Sequence, residues 1–260
     1  MDKRITLKIA NIIAEAKDIK TYIFAHNLEA RPGQFIMLTD FEGGEKPFSI
    51  ADCSDESFKI TVKKIGEFTS RLFQKKNGDY LSIRGPFGSC FTISSQKVLL
   101  VGGGYGTPPL YFLAKELLKS DAQITVVNGA KSQEDLVFCD KFRELSVEYQ
   151  NIAQLGCLGR KGTSVDLARE ALEKQNFDFV YAAGPEMMMK ALQPHLQDLE
   201  YEFLFERYMK CAIGICGNCT VDPLGIRLCV EGPVLPKRLV EQLTEFGRYH
   251  RDATGKRMEF

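Results

Sequence analysis

Hydrophobic periodicity changes once along this 260-residue chain, and that change constrains the fold more than any single motif. Over residues 1–95, short segments alternate or run apolar at strand length: RITLKIANIIA, KTYIFAH, QFIMLTD, KPFSIAD, SFKITVKK and DYLSIRG. The Gly, Pro, Asn and Asp that turns require fall between them, in ARPGQ, EGGE and KNGD. Only FTSRLFQKK reads as a helix in this half, with Thr69 or Ser70 as its N-cap. Six strands and one helix predict a small antiparallel barrel.

From residue 96 the pattern becomes strand, then helix. KVLLVGGG, AQITVVNGA, FDFVYAAGP and YEFLFER read as strands. TPPLYFLAKELLKS, QEDLVFCDKFREL, GTSVDLAREALEKQ (capped by Thr163 or Ser164) and EMMMKALQPHLQDL read as helices. Such alternation predicts a parallel, doubly wound sheet. The expected organisation is a barrel domain over residues 1–95, an α/β domain over 96–206 and a cysteine-bearing segment with a tail over 207–260. The first boundary is expected at SSQK, residues 94–97.

The 34 basic and 34 acidic residues cancel, which gives no electrostatic case for nucleic acid or a membrane surface. No apolar run approaches the roughly 18 residues of a membrane span. MDKRITLKIANIIAEA has no signal-like apolar region, so no export signal is expected. The expected compartment is a reducing cytoplasm, where clustered cysteines bind metal more often than they pair.

Four of the eight cysteines, Cys211, Cys216, Cys219 and Cys229, fall within YMKCAIGICGNCTVDPLGIRLCVEGPV, residues 208–234. Cys211-x4-Cys216-x2-Cys219 is the opening of the plant-type [2Fe–2S] spacing, with Cys229 available as the fourth ligand. Gly214 and Gly217 let the chain wrap so that amide N–H groups face an anionic cluster. A four-cysteine zinc site competes, although structural zinc usually takes two C-x2-C pincers and only one such pair is present. Unliganded cysteines are the third reading. Cys53, Cys90, Cys139 and Cys157 are scattered and read as small apolar fillers.

Three further stretches carry candidate cofactor chemistry. In KPFSI, Lys46 and Ser49 can bind a phosphate and Phe48 can lie against a ring, although an ordinary half-buried strand has the same residues. VKKIGEFTSRLF, residues 62–73, brings a helix N-terminus at Thr69–Ser70, with about half a positive charge for an anion. VLLVGGGYGTPPL sets Gly102, Gly103, Gly104 and Gly106 between a strand and a helix, as a nucleotide loop requires. It departs from G-x-G-x-x-G, and a tight turn is the alternative. YAAGPEMMM places Gly184–Pro185 on the same sheet edge, with Met187–Met189 as core and helix surface.

Taken in order, KPFS, IGEFTS, GPFG, GGGYGTPP, AAGP and the terminal cysteines resemble the ferredoxin–NADP reductase-like flavoproteins over nearly the whole chain. ERYMKC, IGICG and LCVEGPV are similar to the cluster loop of the electron-transfer subunits of NAD-dependent dihydroorotate dehydrogenases of type B. The resemblance implies FAD in the barrel, NAD at the second domain and a [2Fe–2S] cluster on the four cysteines. It maps Lys46, Pro47, Phe48 and Ser49 onto the flavin motif, and Val62, Lys63 and Lys64 onto the next flavin-contacting strand. Thr69 and Ser70 match the pyrophosphate-binding helix start. Gly102, Gly103, Gly104, Gly106 and Pro108 match the nicotinamide-domain loop, with Gly184 and Pro185 beside it. Two departures stand out: Lys46 replaces the usual Arg, so bidentate phosphate binding is lost, and Ala183 replaces a common Cys.

The implied partner is an FMN-containing catalytic subunit that oxidises dihydroorotate to orotate in pyrimidine biosynthesis, in a heterotetramer of two of each chain. On this view the chain needs no catalytic acid, and His26, His195 and His250 are read as surface or structural. A ferredoxin-dependent transhydrogenase, sulfide dehydrogenase or soluble hydrogenase would use a small flavoprotein of the same build. A zinc-stabilised, non-redox nucleotide-binding module is the alternative from another class. NAD preference over NADP follows from resemblance alone; in VVNGAKSQED only Lys131 is a candidate for a 2′-phosphate. The apolar Ala212, Ile213, Ile215, Val221, Leu224 and Ile226 predict an interface at the cluster loop, or packing on the chain's own barrel. The polar tail FGRYHRDATGKRMEF is expected to need a neighbouring subunit for order.

Overall fold

A period-two pattern can bury only one face of a strand, and six such strands solve this by closing on themselves. In the computed structural model, which describes residues 4–93, 96–156 and 160–260, these are β1 (Ile5–Ala16), β2 (Ile19–Phe24), β3 (Phe35–Thr39), β4 (Glu45–Cys53), β5 (Phe58–Lys63) and β6 (Tyr80–Phe87). Residues 94–95 of the expected boundary, and Cys157, lie outside the described residues. The barrel order is β1-β2-β5-β4-β3-β6, closed by β6 on β1, with every pair antiparallel. Ile9, Tyr22, Phe24, Ile36, Leu38, Phe58, Ile60 and Ile83 fill its interior.

Helix α1 (Glu67–Gln74) packs Phe68 and Leu72 into that interior. It begins earlier than expected, with Gly66 as N-cap. Thr69 sits at the third helical position, where its Oγ1 accepts from the Ile65 and Gly66 N–H groups at 2.9 and 3.0 Å. Its hydroxyl therefore pins the entry turn, and no side chain caps the helix N-terminus.

The second unit comprises β7 (Lys97–Gly103), α2 (Pro108–Leu118), β8 (Gln123–Ala130), α3 (Cys139–Arg143), β9 (Glu148–Ala153), α4 (Ser164–Lys174), β10 (Phe179–Ala183), α5 (Glu186–Leu192) and β11 (Glu200–Leu204). Strands β11-β10-β7-β8-β9 are parallel neighbours in that order. Central β7 is buried beyond Lys97, as a strand covered on both faces must be. Thr163 caps α4, its hydroxyl accepting from Asp166 N–H at 3.3 Å while the Asp166 carboxylate accepts from Thr163 N–H at 2.8 Å.

Three elements differ from expectation. The helix expected over QEDLVFCDKFREL is broken, because Phe138 takes a left-handed φ of 63° before α3. That turn buries the Phe138 ring edge-on to Tyr111 of α2, at 5.5 Å between centroids. Strand β9 escapes the periodicity reading because Glu148, Gln150 and Asn151 interrupt its apolar pattern on a sheet edge. Helix α5 stops at Leu192, since Pro194 cannot donate to an α-helical ladder and a 3-10 turn follows.

The remaining chain forms β12 (Thr220–Val221), β13 (Ile226–Arg227), β14 (Val234–Pro236), α6 (Lys237–Val240), β15 (Tyr249–Arg251) and β16 (Arg257–Glu259). Strand β14 adds to β11 antiparallel, so residues 207–260 supply the last strand of the preceding unit's sheet. The tail is ordered by its own chain. Strands β15 and β16 pair, and Arg251 donates to Thr220 O at 2.8 Å and to Asp222 at 2.7 Å. Between barrel and sheet, α2 lends Phe112 to the barrel core, and Lys115 donates to Asp52 at 2.6 Å. Among the described residues, no helix is long and apolar enough to cross a membrane.

The turns after β7 and β10 meet backbone to backbone. A Cβ on Gly106 would lie 2.5 Å from Gly184 Cα, and one on Gly184 would lie 2.9 Å from Gly103 Cα. Gly104 faces open space instead, at φ +53°. Gly106→Ala is therefore expected to lose about 1–3 kcal/mol of stability through overpacking. Gly104→Ala should lose only about 1 kcal/mol, from its left-handed backbone. Chemical denaturation of the two variants checks the order.

Candidate cofactor cleft and cysteine loop

A cleft of about 650 Å³ opens where barrel, sheet edge and cysteine segment converge, a size suited to a cofactor. The barrel presents Pro47, Phe48 and Ser49 from β4, Lys63 from β5, and Ile65 and Thr69 at the start of α1. The sheet edge presents Tyr105, Pro108, Phe205 and Glu206. The structure thus brings together residues that lie far apart in sequence. Other expected contacts are placed elsewhere. Val62 is buried in the barrel core, and Lys64 is exposed. Ser70 is half-buried behind Thr69. Lys46 donates to the Tyr208 hydroxyl and lies 4.3 Å from that ring's centroid. Gly102, Gly103, Gly106, Gly184 and Pro185 pack among themselves or against Thr107 and Met188, and Gly104 alone in the glycine turn has open space for a ligand.

Several cleft residues were not named as cofactor contacts, although Tyr105 falls within GGGYGTPP and Glu206 within ERYMKC. Tyr105 hydrogen bonds the Glu206 carboxyl, and Lys63 Nζ lies 5.5 Å from the Tyr105 ring centroid. Glu206 is open to the cleft but ringed by its walls. The loss of bulk water there raises its carboxyl to about 7, with the Tyr105 hydrogen bond only partly opposing. The Glu206 charge, then burial, raises the Tyr105 phenol to about 12. The position of Glu206 at the end of a predicted strand, on the ligand-binding edge, is the signal that could have found it. His250, Asp252 and Phe260 reach the cleft from the tail, which has no such signal.

Two buried side-chain atoms lack a hydrogen-bond partner among the described residues, Arg207 Nε and His250 Nδ1. Both belong to residues lining this cleft, and both side chains pack on Phe260. An apolar wall of Phe48, Pro47, Ile65 and Pro108 fits a flat ring such as a flavin. Arg207 is otherwise consumed by a buried ion network, paired with Glu186 at the start of α5 and with Glu245 at 3.2 Å.

Beyond Tyr208 and Met209 the chain enters the cysteine loop. Cys219 and Cys229 are buried, Cys211 is half-buried and Cys216 is exposed. Burial raises the Cys211 thiol, but the amides of Cys216, Ile213 and Ile215 point at its sulfur and outweigh that, bringing it down to about 6. Burial, then the neighbouring Cys219 thiol, pushes Cys229 up to about 12 despite the Gly214 amide. Gly214, at φ +77°, has no room for a side chain: a Cβ would meet Val230 Cγ2 at 2.9 Å and Arg227 Nη1 at 3.0 Å. Arg227 donates to Gly214 O at 3.2 Å, and Asn218 ties the loop to Tyr208 O and Asp252 O, each at 3.2 Å. The amide N–H groups at Cys211 and Cys229 suit the anionic sulfurs of an iron–sulfur cluster, while among the described residues no three ligating side chains are grouped to hold a single metal ion.

Residues 206–241 match the family described as the iron-sulfur cluster binding domain of dihydroorotate dehydrogenase B, and residues 100–194 match the oxidoreductase NAD-binding domain. A Methanocaldococcus jannaschii protein described as a probable dihydroorotate dehydrogenase B (NAD(+)), electron transfer subunit is 37% identical over all of both chains. A Thermococcus kodakarensis protein of the same description is 42% identical over 84% of this chain and 90% of its own. Among solved structures, the NADH-dependent reduced ferredoxin-NADP oxidoreductase of flavin-based electron bifurcation superposes with a TM-score of 0.82. It is 31% identical and covers 91% of this chain and 89% of its own. A ferredoxin reductase of carbazole 1,9a-dioxygenase shares the fold, with a TM-score of 0.66 at 21% identity over 74% of this chain and 64% of its own. With its barrel, its NAD-binding sheet and its cysteine loop in one order, the chain belongs to the family of dihydroorotate dehydrogenase B (NAD(+)) electron transfer subunits.

Proposed function

We propose that this chain carries electrons between NAD and a dihydroorotate-oxidising partner subunit, using FAD in the cleft and a [2Fe–2S] cluster on Cys211, Cys216, Cys219 and Cys229. One observation carries the reading: Phe205–Met209 line the cleft, and the next residues open the cysteine loop. Cleft and loop are therefore consecutive stations on one stretch of chain. FAD bound there would exchange a hydride with NAD and single electrons with the cluster.

The chain's own residues do the rest by position. Phe48, Pro47 and Pro108 supply an apolar surface for a ring, and Thr69 marks an uncapped helix N-terminus that favours an anionic group. Gly104 offers backbone to a dinucleotide without a side chain in the way. Loss of bulk water raises the Glu206 carboxyl to about 7, and the Tyr105 phenol beside it keeps its own proton.

The partner subunit, which on this reading holds FMN in an assembly of two of each chain, meets the cysteine loop. Ala212, Val221 and Ile226 pack inside this chain at 2%, 0% and 8% exposure, so half of the apolar set is spoken for. Ile213, Ile215 and Leu224 stand 48%, 79% and 43% exposed, and Ile215 adjoins the exposed Cys216. An apolar rim beside the most accessible ligand suits a protein partner. The likeness to the bifurcating oxidoreductase supports a second reading, in which the same cofactors serve a transhydrogenase partner.

The purified chain is expected to carry one FAD and one [2Fe–2S] cluster. Cys219→Ser should abolish iron and acid-labile sulfide while leaving flavin absorbance intact, because the two sites use different segments. Zinc without iron would sink the cluster assignment. The chain alone should reduce an artificial acceptor with NADH and show no turnover of dihydroorotate; NAD-linked dihydroorotate oxidation should appear only on mixing with the partner. Oxidation by the pure single chain would contradict this division of labour.

A pH prediction follows from Glu206. Its folded pKa of about 7 exceeds its ordinary 4.5, so the folded state binds this proton more tightly. The associated stability is complete below pH 4.5 and is lost as pH rises through about 7. Thermal midpoints of the wild type should thus fall relative to Glu206→Gln across that window. Parallel profiles would refute the assignment.

A further inference from the structure

The barrel strand that carries the flavin motif is tied at two points to the start of the cysteine loop. Arg84 of β6 donates from Nη2 to the Cys211 carbonyl at 3.3 Å. The same guanidinium forks onto Glu45 of β4, with Nε at 3.0 and 3.2 Å from the two carboxylate oxygens and Nη2 on Oε2. Glu45 is held from its other side by Arg4 at 2.8 Å. Burial raises the Glu45 carboxyl, but the Arg84 hydrogen bond and charge outweigh it, with Arg4 adding to them, so the carboxyl lies below its usual range and stays ionised. One residue along β4, Lys46 donates to Tyr208. Arg84 and Glu45 side chains are only 16% and 15% exposed, so the fork is held in a partly dry setting.

We propose that Arg84 is a positioning residue for electron passage between flavin and cluster, and that its cation favours the reduced cluster. This rests on the functional reading above. In the step concerned, a flavin held in the cleft would lose one electron, a cluster held on the four cysteines would gain it, and no proton would move at Arg84. Such a cluster would become one unit more negative, so a fixed cation beside the Cys211 peptide would stabilise the product form. A guanidinium suits this role because it never deprotonates and its planar fork grips carboxylate and carbonyl together. Arg84→Met would remove that cation from beside the Cys211 peptide. The geometric part is separate: the link from Glu45 to Cys211 O fixes the loop's entry against the strand that presents Phe48 and Ser49.

The test uses the cofactor-loaded protein and three forms, wild type, Arg84→Met and Arg84→Lys. Redox titration followed by EPR for the cluster and by absorbance for the flavin gives both potentials. Arg84→Met should shift the cluster's reduction equilibrium about tenfold against reduction, about 59 mV for one electron, with the flavin's unmoved. Arg84→Lys keeps the charge and should keep the potential. It loses the fork, so cluster reduction after rapid mixing with NADH should slow severalfold. A loaded Arg84→Met protein with wild-type cluster potential and wild-type reduction rate would overturn the proposal. If that variant does not fold, an Arg84→Lys protein with an unchanged rate overturns the positioning role. A wild-type chain lacking iron and acid-labile sulfide would overturn the functional reading itself, and this inference with it.

Discussion

Strand β11 leaves the sheet at Leu204 and β14 returns beside it at Val234, antiparallel, so the intervening chain is tied at both ends to one sheet edge. Closing that loop at a rigid edge is what lets a segment with little regular structure hold four cysteines in place. The barrel docks on the same joint. Ser89 donates to Val234 O at 2.9 Å and accepts from Val234 N–H at 3.1 Å, and a Cβ on Gly88 would strike Pro233 Cδ at 2.6 Å. Barrel, sheet and loop therefore meet at β14, a strand of three residues. The joint's base is the buried network of Arg207, Glu186 and Glu245, at 4%, 5% and 1% side-chain exposure. Removing one member would strand a charge in the interior, which costs about 3–5 kcal/mol.

Local rules explain what was legible in the sequence. The barrel strands alternate because one face meets its interior, and β7 is uniformly apolar because helices cover both of its faces. Those signals are carried by each segment alone. Strand β14 has no such signal: Val234–Pro236 is too short to show a period, and only β11 makes it a strand. The break at Phe138 is also tertiary, since a left-handed residue is tolerated there only because its ring finds Tyr111. Thr69 misled for a chemical reason. A threonine near a helix start can cap from outside or pin the entry turn from the third position, and sequence distinguishes these poorly.

The candidate site divides along the same line. Pro47, Phe48, Ser49, Lys63, Thr69 and Pro108 were visible as motif residues and do face the cleft. The glycine turn was visible as glycines, but most of them serve turn-to-turn packing, which a nucleotide loop and a tight turn share. Tyr105, Glu206 and His250 were not named as cleft residues, although the first two fall in quoted motifs, because their significance is relational. Glu206 is an ordinary strand-end carboxylate until Tyr105 and the cleft walls surround it. His250 is an ordinary tail histidine until β15 pairs with β16 and sets it beside Phe260.

The cleft and the rim of the cysteine loop differ in chemistry. The cleft is concave, with Pro47, Phe48 and Pro108 as apolar walls beside Lys63 and Glu206, which suits a ring cofactor with a polar edge. The rim of the cysteine loop bares Ile213, Ile215 and Leu224, which suits another protein's apolar surface. Residues 205–211 run between these two places and belong to both. Three of these residues are tethered from outside the stretch: Arg207 by carboxylates from α5 and the segment before β15, Tyr208 by Lys46, and Cys211 by Arg84 through its backbone carbonyl. A one-electron path requires fixed spacing between its stations more than it requires any acid or base. Tethering of this short stretch, drawn from the barrel, the sheet and the tail together, supplies such fixed spacing.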